Sequence, residues 1–184
     1  KANVLETSRL WRKVDQKVSE SYPDVALDFL FVDNAAMQLI LNPKQFDVIL
    51  TENLFGDILS DEASVITGSI GLLPSISLGE KNALFEPIHG SYPQAKGKNI
   101  ANPIASILAA ALLLEHFGLT KEANVIYKAT EKAIEFKVVT VDLKPDSKFG
   151  TNEVGEFVSN FIFSKDDLLY FRNDNVTIGQ STIV

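Results

Sequence analysis

Two carboxylates, Asp57 and Asp61, stand four residues apart in the stretch from Asp47 to Gly68. On a helix that spacing puts both on one face, one turn above the other. Left alone, they repel. A divalent cation removes the repulsion, and hard oxygen ligands suit Mg²⁺ or Mn²⁺. A bare D-x-x-x-D pair more often marks a solvated acidic face. Here the neighbours Ile58, Leu59, Ala63, Val65 and Ile66 are apolar, and Gly56 permits a tight turn just before the first aspartate. The stretch reads as a buried strand from Phe46 to Thr51, a turn, and a largely buried helix from Asp57 to Thr67. A carboxylate pair at the top of such a helix needs a partner.

Asp33 is a third candidate. It follows an apolar, β-branched and aromatic run from Val25 to Val32 that reads as a strand, and it precedes a helix from about Ala35 to Leu41. Asp33 or Asn34 could cap that helix. Asp33 could equally serve a metal, because sites in α/β proteins gather at the carboxyl ends of strands. Upstream, Trp11, Val14, Val18 and Tyr22 recur at helical spacing, so Lys1 to about Tyr22 reads as an amphipathic helix ended at Tyr22-Pro23-Asp24. The chain opens with Lys rather than Met, as expected of a processed or partial product.

The second half alternates strands, loops and helices. Gly68 to Pro74 is glycine-rich, but no G-x-G-x-x-G fingerprint occurs anywhere, so any nucleotide must be held in another way. Ala83 to Ser91 reads as a strand running into a loop through Tyr92, Pro93, Gln94, Lys96, Gly97 and Lys98 to Asn102-Pro103. Asn at N-cap with Pro at N1 predicts a helix start there. Ile104 to Phe117 is apolar almost all round, hence central to a core, and Gly118 stops it. Thr120 caps a helix from Lys121 to about Phe136, Val138 to Val141 is a short strand, and Thr151 caps a helix from Asn152 to Phe163. Residues 164–184 show no clear period. The predicted fold is α/β.

Composition narrows the function. The chain has 184 residues, 46% hydrophobic and 22% charged, enough for a globular core. A net charge of -7 without a basic cluster argues against nucleic acid. With no cysteine, a disulfide framework, a zinc-thiolate site and a thiol nucleophile are all excluded. The longest apolar run, Ile104 to Leu114, is too short to span a membrane.

Glu52-Asn-Leu-Phe-Gly-Asp-Ile-Leu-Ser-Asp-Glu-Ala-Ser64, followed by Gly68-Ser-Ile-Gly-Leu-Leu-Pro-Ser-Ile-Ser-Leu-Gly79, closely resembles the 3-isopropylmalate dehydrogenases of the isocitrate/isopropylmalate dehydrogenase family. Isocitrate dehydrogenases share the spaced aspartates. They usually carry a different pair at Phe55-Gly56 and an Ala-Pro-Gly element at Leu73-Pro74-Ser75. The resemblance runs from Lys1 to about Phe163 and covers roughly the second half of such an enzyme. It implies a partial isocitrate/isopropylmalate dehydrogenase-like fold. Residues 1–67 would belong to a central dimerisation and metal-site domain and 68–163 to a cofactor-binding domain, with 164–184 an unassigned tail.

The resemblance also implies an activity, the metal-dependent oxidative decarboxylation of 3-isopropylmalate to 2-oxoisocaproate with reduction of NAD, a step of leucine biosynthesis. Asp57, Asp61 and, across a homodimer interface, Asp33 would bind Mg²⁺ or Mn²⁺. Lys1 would handle the substrate hydroxyl proton as a base. Asn3 and Val4 would lie near substrate and nicotinamide. Glu86, His89, Gly90, Ser91, Gln94 and Asn102 would surround NAD, with His89 and Asn102 beside the adenine. A cytoplasmic location is expected, with no nucleic-acid or membrane partner.

Much of such an enzyme has no match here. The family binds substrate carboxylates with clustered arginines, whereas Arg9, Arg12 and Arg172 lie in no matching segment. The catalytic tyrosine is absent too, so this chain alone is expected to be inactive. A non-catalytic metal- or nucleotide-binding subunit, a structural α/β interaction domain, and a dehydrogenase for isocitrate or tartrate are the alternatives. One departure concerns the cofactor. The family usually has an aspartate where Gln94 stands, and that carboxylate bonds the ribose hydroxyls and repels a 2′-phosphate. Glutamine repels nothing, and Lys96 and Lys98 are near in sequence. In the complete enzyme, Gln94→Asp is therefore expected to raise the preference for NAD over NADP. The ratio of kcat/KM values for the two cofactors checks this, and an unchanged ratio would refute it.

Overall fold

The computed structural model describes residues 1–163, so the unassigned segment 164–184 lies outside the described residues. In chain order the helices are α1 (Glu6–Ser19), α2 (Val32–Leu41), α3 (Asn53–Thr67), α4 (Ile104–His116), α5 (Thr120–Glu135) and α6 (Thr151–Phe163). Two strands, β1 (Pro74–Leu78) and β2 (Ala83–Pro87), separate α3 from α4. The residues fall into two units, Lys1–Asp47 with Thr51–Ala63, and Val48–Leu50 with residue 64 onward.

The second unit is built on α4, which packs against α5 and against both strands. Small side chains make the close approach possible: Ala105, Ala109 and Ala111 on α4, and Ala123, Ala129 and Ala133 on α5, are all buried. α6 completes the layer, with Val158 packed on Ala129 and Ala133 and with Ile107, Phe157, Phe161 and Ile162 closing around them. β1 and β2 form an antiparallel hairpin with Ser75 opposite Glu86 and Ile76 opposite Phe85. Gly118 takes a φ of 75°, as expected of the residue that ends α4.

The first unit buries little of its own apolar surface. α1 has no buried residue, and Leu10, Trp11, Val14 and Val18 are exposed. α2 buries Ala35 and Leu39, whereas Met37 and Ile40 are exposed. Burying a side chain of this size contributes about 1.5–3 kcal/mol. These faces are stripes of unrealised stabilisation.

Several sequence expectations need correction. The segments Val25–Val32, Phe46–Thr51 and Val138–Val141 form no strand. A strand needs a neighbour to receive its backbone hydrogen bonds. Along 25–31 and 46–50 no such edge is present among the described residues, and Val25, Val48 and Leu50 are largely exposed. Near Val139 the bonds go elsewhere: Val138 N–H donates to Ala133 O (2.8 Å), and the Ser147 hydroxyl donates to Val139 O. α2 begins at Val32, so Asp33 and Asn34 lie inside its first turn. α3 begins at Asn53, so Gly56 is helical rather than a turn. A Cβ on Gly56 would stand 3.1 Å from the Thr51 methyl, so closeness to Thr51 is what its missing side chain serves. α3 is less buried than expected, with Ile58, Val65 and Ile66 exposed and Leu59 buried. Thr120 opens α5 without capping it.

The start of α6 departs from expectation in a useful way. Gly150, not Thr151, occupies the N-cap position, since its carbonyl accepts from Val154 N–H (3.1 Å). Glycine has no side chain to offer, and an added Cβ would sit 2.0 Å from Asn99 O. Gly155, in the interior of the same helix, has open space where a Cβ would go. Two substitutions therefore act oppositely on the urea unfolding midpoint. Gly155→Ala should stabilise by about 0.5–1 kcal/mol, whereas Gly150→Ala should destabilise by about 1–3 kcal/mol. Equal shifts for the two would contradict the packing described here.

Candidate functional site

In the first unit, Lys1 and Asp33 meet. The residues after Lys1 turn back, with Val4 and Leu5 N–H both donating to Lys1 O at 3.0 Å. The Lys1 ammonium donates to Asp33 Oδ2, while Asp33 Oδ1 accepts from the Asn34 backbone N–H at 2.9 Å. The Lys1 hydrogen bond, reinforced by that amide, holds the Asp33 carboxyl below its usual 3.8. A carboxylate in the first turn also faces the positive end of the α2 dipole. Asn3 and Val4 are exposed beside Lys1.

Asp57 and Asp61 lie one turn apart on α3, both exposed. Asp57 Oδ1 accepts a 3.3 Å bond from the Asn53 side-chain amide. Among the described residues, no three metal-capable side chains gather in one cluster. Within this chain Asp33 is paired with Lys1. The two aspartates of α3 thus present hard oxygen donors of the right chemistry for Mg²⁺ or Mn²⁺, but fewer than such an ion requires. Both described arginines are engaged elsewhere: Arg9 with Glu6 and Ala2 O, Arg12 4.5 Å over the Phe29 ring.

In the second unit the nucleotide candidates follow one another along the chain. Glu86 is an exposed position of β2, opposite Ser75. His89 is half-buried, with Nδ1 3.0 Å from Gly90 O. Gly90 and Ser91 are exposed, and a Cβ on Gly90 would meet nothing. Gln94 sits exposed in a single 3₁₀ turn, Pro93–Ala95, beside buried Ala95. Asn102 closes the loop. The expectation of Asn102 at N-cap and Pro103 at N1 needs correction: Pro103 is the N-cap of α4, its carbonyl accepting from Ile107 N–H, and Asn102 stands one residue outside, its Oδ1 accepting from Ile104 N–H at 3.0 Å. The Asn102 side-chain amide nitrogen donates to Asp142 Oδ2 at 2.9 Å.

Asp142 is the residue that the sequence did not reveal. Both its oxygens are in use: Oδ2 accepts from Asn102 and from the Ser69 hydroxyl, and Oδ1 from the Thr140 hydroxyl. Ser69 also accepts from Gly71 N–H at 3.0 Å, shaping the glycine passage. Gly71 must lack a side chain, because a Cβ would lie 2.8 Å from the Asn102 Cβ. Desolvation pushes the Asp142 pKa upward, but the bonds from Ser69, Thr140 and Asn102 outweigh it and hold the carboxyl below 3.8. The only sequence signal was Thr140-x-Asp142 at the edge of a polar loop, which names no distant partner.

With this geometry in place, comparison with known proteins assigns the chain. The family model described as isocitrate/isopropylmalate dehydrogenase matches residues 1–158, and the chain belongs to that family. Among characterised relatives, a 3-isopropylmalate dehydrogenase of Bacteroides fragilis is 54% identical over 164 residues, covering 88% of this chain and 46% of that protein. A 3-isopropylmalate dehydrogenase of Thermotoga maritima is 56% identical over 161 residues, covering 86% and 45%. The crystal structure of isocitrate dehydrogenase from Methylococcus capsulatus superposes with a TM-score of 0.86 at 42% identity, over 89% of this chain and 49% of that one. A β-decarboxylating dehydrogenase of Thermococcus kodakarensis superposes with a TM-score of 0.79 at 38% identity, over 98% and 51%. The chain thus spans about half the length of the relatives it matches. The α/β expectation stands as a partial version of this family's fold. No helix among the described residues is long and apolar enough to cross a membrane.

The Asp142 carboxylate has a consequence for acid stability. Its folded pKa lies below the unfolded value, so its contribution is fully present above about pH 3.8. That contribution is lost as the pH falls through the lower, folded value. Asp142→Asn should therefore flatten the acid limb of the urea midpoint between about pH 5 and 2. An unchanged acid limb would contradict the three-donor geometry.

Proposed function

We propose that this chain supplies the second half of an NAD-dependent 3-isopropylmalate dehydrogenase, which converts its substrate to 2-oxoisocaproate with loss of CO₂. The observation that carries the reading is the family match across residues 1–158, a span holding every candidate site residue from Lys1 to Asn102. The local chemistry agrees. Asp57 and Asp61 offer paired oxygens on one exposed face, and the Gly90–Asn102 loop offers an open surface for a dinucleotide.

In this reading Asp57 and Asp61 hold Mg²⁺ or Mn²⁺, and Asp33 of a second copy completes the ligand set. When bound, the cation supplies Lewis acidity toward a hydroxyl and its adjacent carboxylate, and NAD supplies the hydride acceptor. Lys1 of that second copy would take the substrate hydroxyl proton on Nζ after giving up its own ammonium proton. Its pairing with Asp33 keeps that nitrogen beside the carboxylate meant for the metal. Asn3 and Val4 line the approach to substrate and nicotinamide. Glu86, His89, Gly90, Ser91, Gln94 and Asn102 form the nucleotide surface. The substrate arginines and the catalytic tyrosine come from sequence outside this chain, so the chain alone is inactive. The exposed stripes of α1 and α2 fit a homodimer, in which they are covered. The location is cytoplasmic.

The superposition on an isocitrate dehydrogenase favours isocitrate as the second substrate reading. NADH formation followed by absorbance in the complete protein, with Mn²⁺ and each substrate in turn, separates the two. The expected result is turnover with 3-isopropylmalate, reduced on the order of 100-fold or more by Asp57→Ala, beyond the cost of losing an outer partner of a metal ligand. A preference for isocitrate would replace the substrate. Turnover insensitive to Asp57→Ala would overturn the site.

A further inference from the structure

The outer part of the nucleotide loop receives little support from its surroundings. Gly90, Ser91, Gln94, Lys96, Gly97 and Lys98 are exposed, and the places where side chains on Gly90 and Gly97 would go are empty. Its shape must be imposed at its anchored end. Asn102 is one anchor, through Asp142. Asn99 is the other, and its partners all lie at the start of α6.

Asn99 takes a φ of 54°, a left-handed conformation that asparagine tolerates better than most residues. In that conformation three of its four polar groups bond to the start of α6. Its side-chain oxygen accepts from Asn152 N–H at 2.8 Å, and its backbone oxygen accepts from Thr151 N–H at 3.1 Å. Its side-chain nitrogen donates to Glu153 Oε2 at 2.9 Å. The same Glu153 oxygen accepts from Gly150 N–H at 2.8 Å, the return half of a capping box. Two residues further along the loop, Ala101 O accepts from the Thr151 hydroxyl. The free N–H groups at a helix start normally bond to the helix's own N-cap side chain. Gly150 has none, so Asn99 fills that role from 53 residues away.

We propose that Asn99 and Glu153 form a clamp that positions the nucleotide loop, with Asn99 as the distant N-cap of α6. The proposal rests on the nucleotide reading of the loop given above. Asn99 and Glu153 touch no nucleotide in this scheme; they act through the loop's shape. The clamp fixes the loop before the nucleotide arrives, so breaking it weakens nucleotide binding and leaves the chemical step alone.

Three variants of the complete protein test this. Asn99→Gly keeps the left-handed backbone without strain and removes both side-chain bonds. Glu153→Ala removes the shared acceptor. Glu153→Gln retains an oxygen at that position, and one oxygen serves both donors, so it acts as the rescue. The readouts are NADH affinity by fluorescence titration, kcat at saturating NAD, and the urea midpoint. Asn99→Gly and Glu153→Ala are expected to weaken NADH binding about five- to tenfold. Saturating kcat should stay within about twofold, and Glu153→Gln should bind within about twofold of the parent. A lowered midpoint with unchanged NADH affinity would make the clamp merely structural and overturn the proposal. Failure of the unsubstituted protein to bind NADH would instead remove the nucleotide reading, and the clamp's role with it.

Discussion

The second unit depends on one carboxylate. Asp142 collects hydrogen bonds from Ser69 in the glycine passage, Thr140 in the segment after α5, and Asn102 at the start of α4. A carboxylate accepting several hydrogen bonds is cheap to keep ionised, and each bond to it is stronger than one between neutral groups. Gly71 then has to be glycine, because Asn102 occupies the space a side chain would need. The Gly90–Asn102 loop inherits its end point from this junction. Asn102 is held at both ends of its amide, by Asp142 and by Ile104 N–H, so the α4 terminus and the loop are fixed together.

The first unit shows the opposite economy. Its helices leave apolar stripes open, and its aspartates on α3 stand exposed with few partners in this chain. Exposed carboxylates and open apolar surface thus share one unit. A metal would settle the first, and a covering surface the second. The function proposed above calls on both, with a site assembled from more than these residues. The Lys1–Asp33 pair fits that picture, since it sets the proposed proton acceptor and the proposed metal carboxylate side by side.

Local features were legible in the sequence, and distant ones were not. The apolar sweep of α4, its start just after Asn102-Pro103 and its stop at Gly118 follow from residues within a few positions of each other. So does the shared helical face of Asp57 and Asp61. Strands were over-assigned at 25–32, 46–51 and 138–141 because an apolar β-branched run states a preference, not a partner. The roles of Asp142, Asn99 and Glu153 were hidden for the same reason. The bonds that tie them to other segments cross 40 to 73 residues, and no spacing rule reaches that far. Gly150 and Gly71 make the point from the other side: each is glycine because of one remote asparagine.

The central claim is that the α3 aspartates are metal ligands rather than surface charge. Titrating Mn²⁺ into the complete protein and following the spin-resonance signal of the free ion tests it without any turnover. The expected result is that the protein removes Mn²⁺ from solution and that Asp57→Ala and Asp61→Ala each abolish most of that uptake while the chain stays folded. Equal uptake by the parent and both variants would contradict it, and would leave the two aspartates as a solvated acidic face.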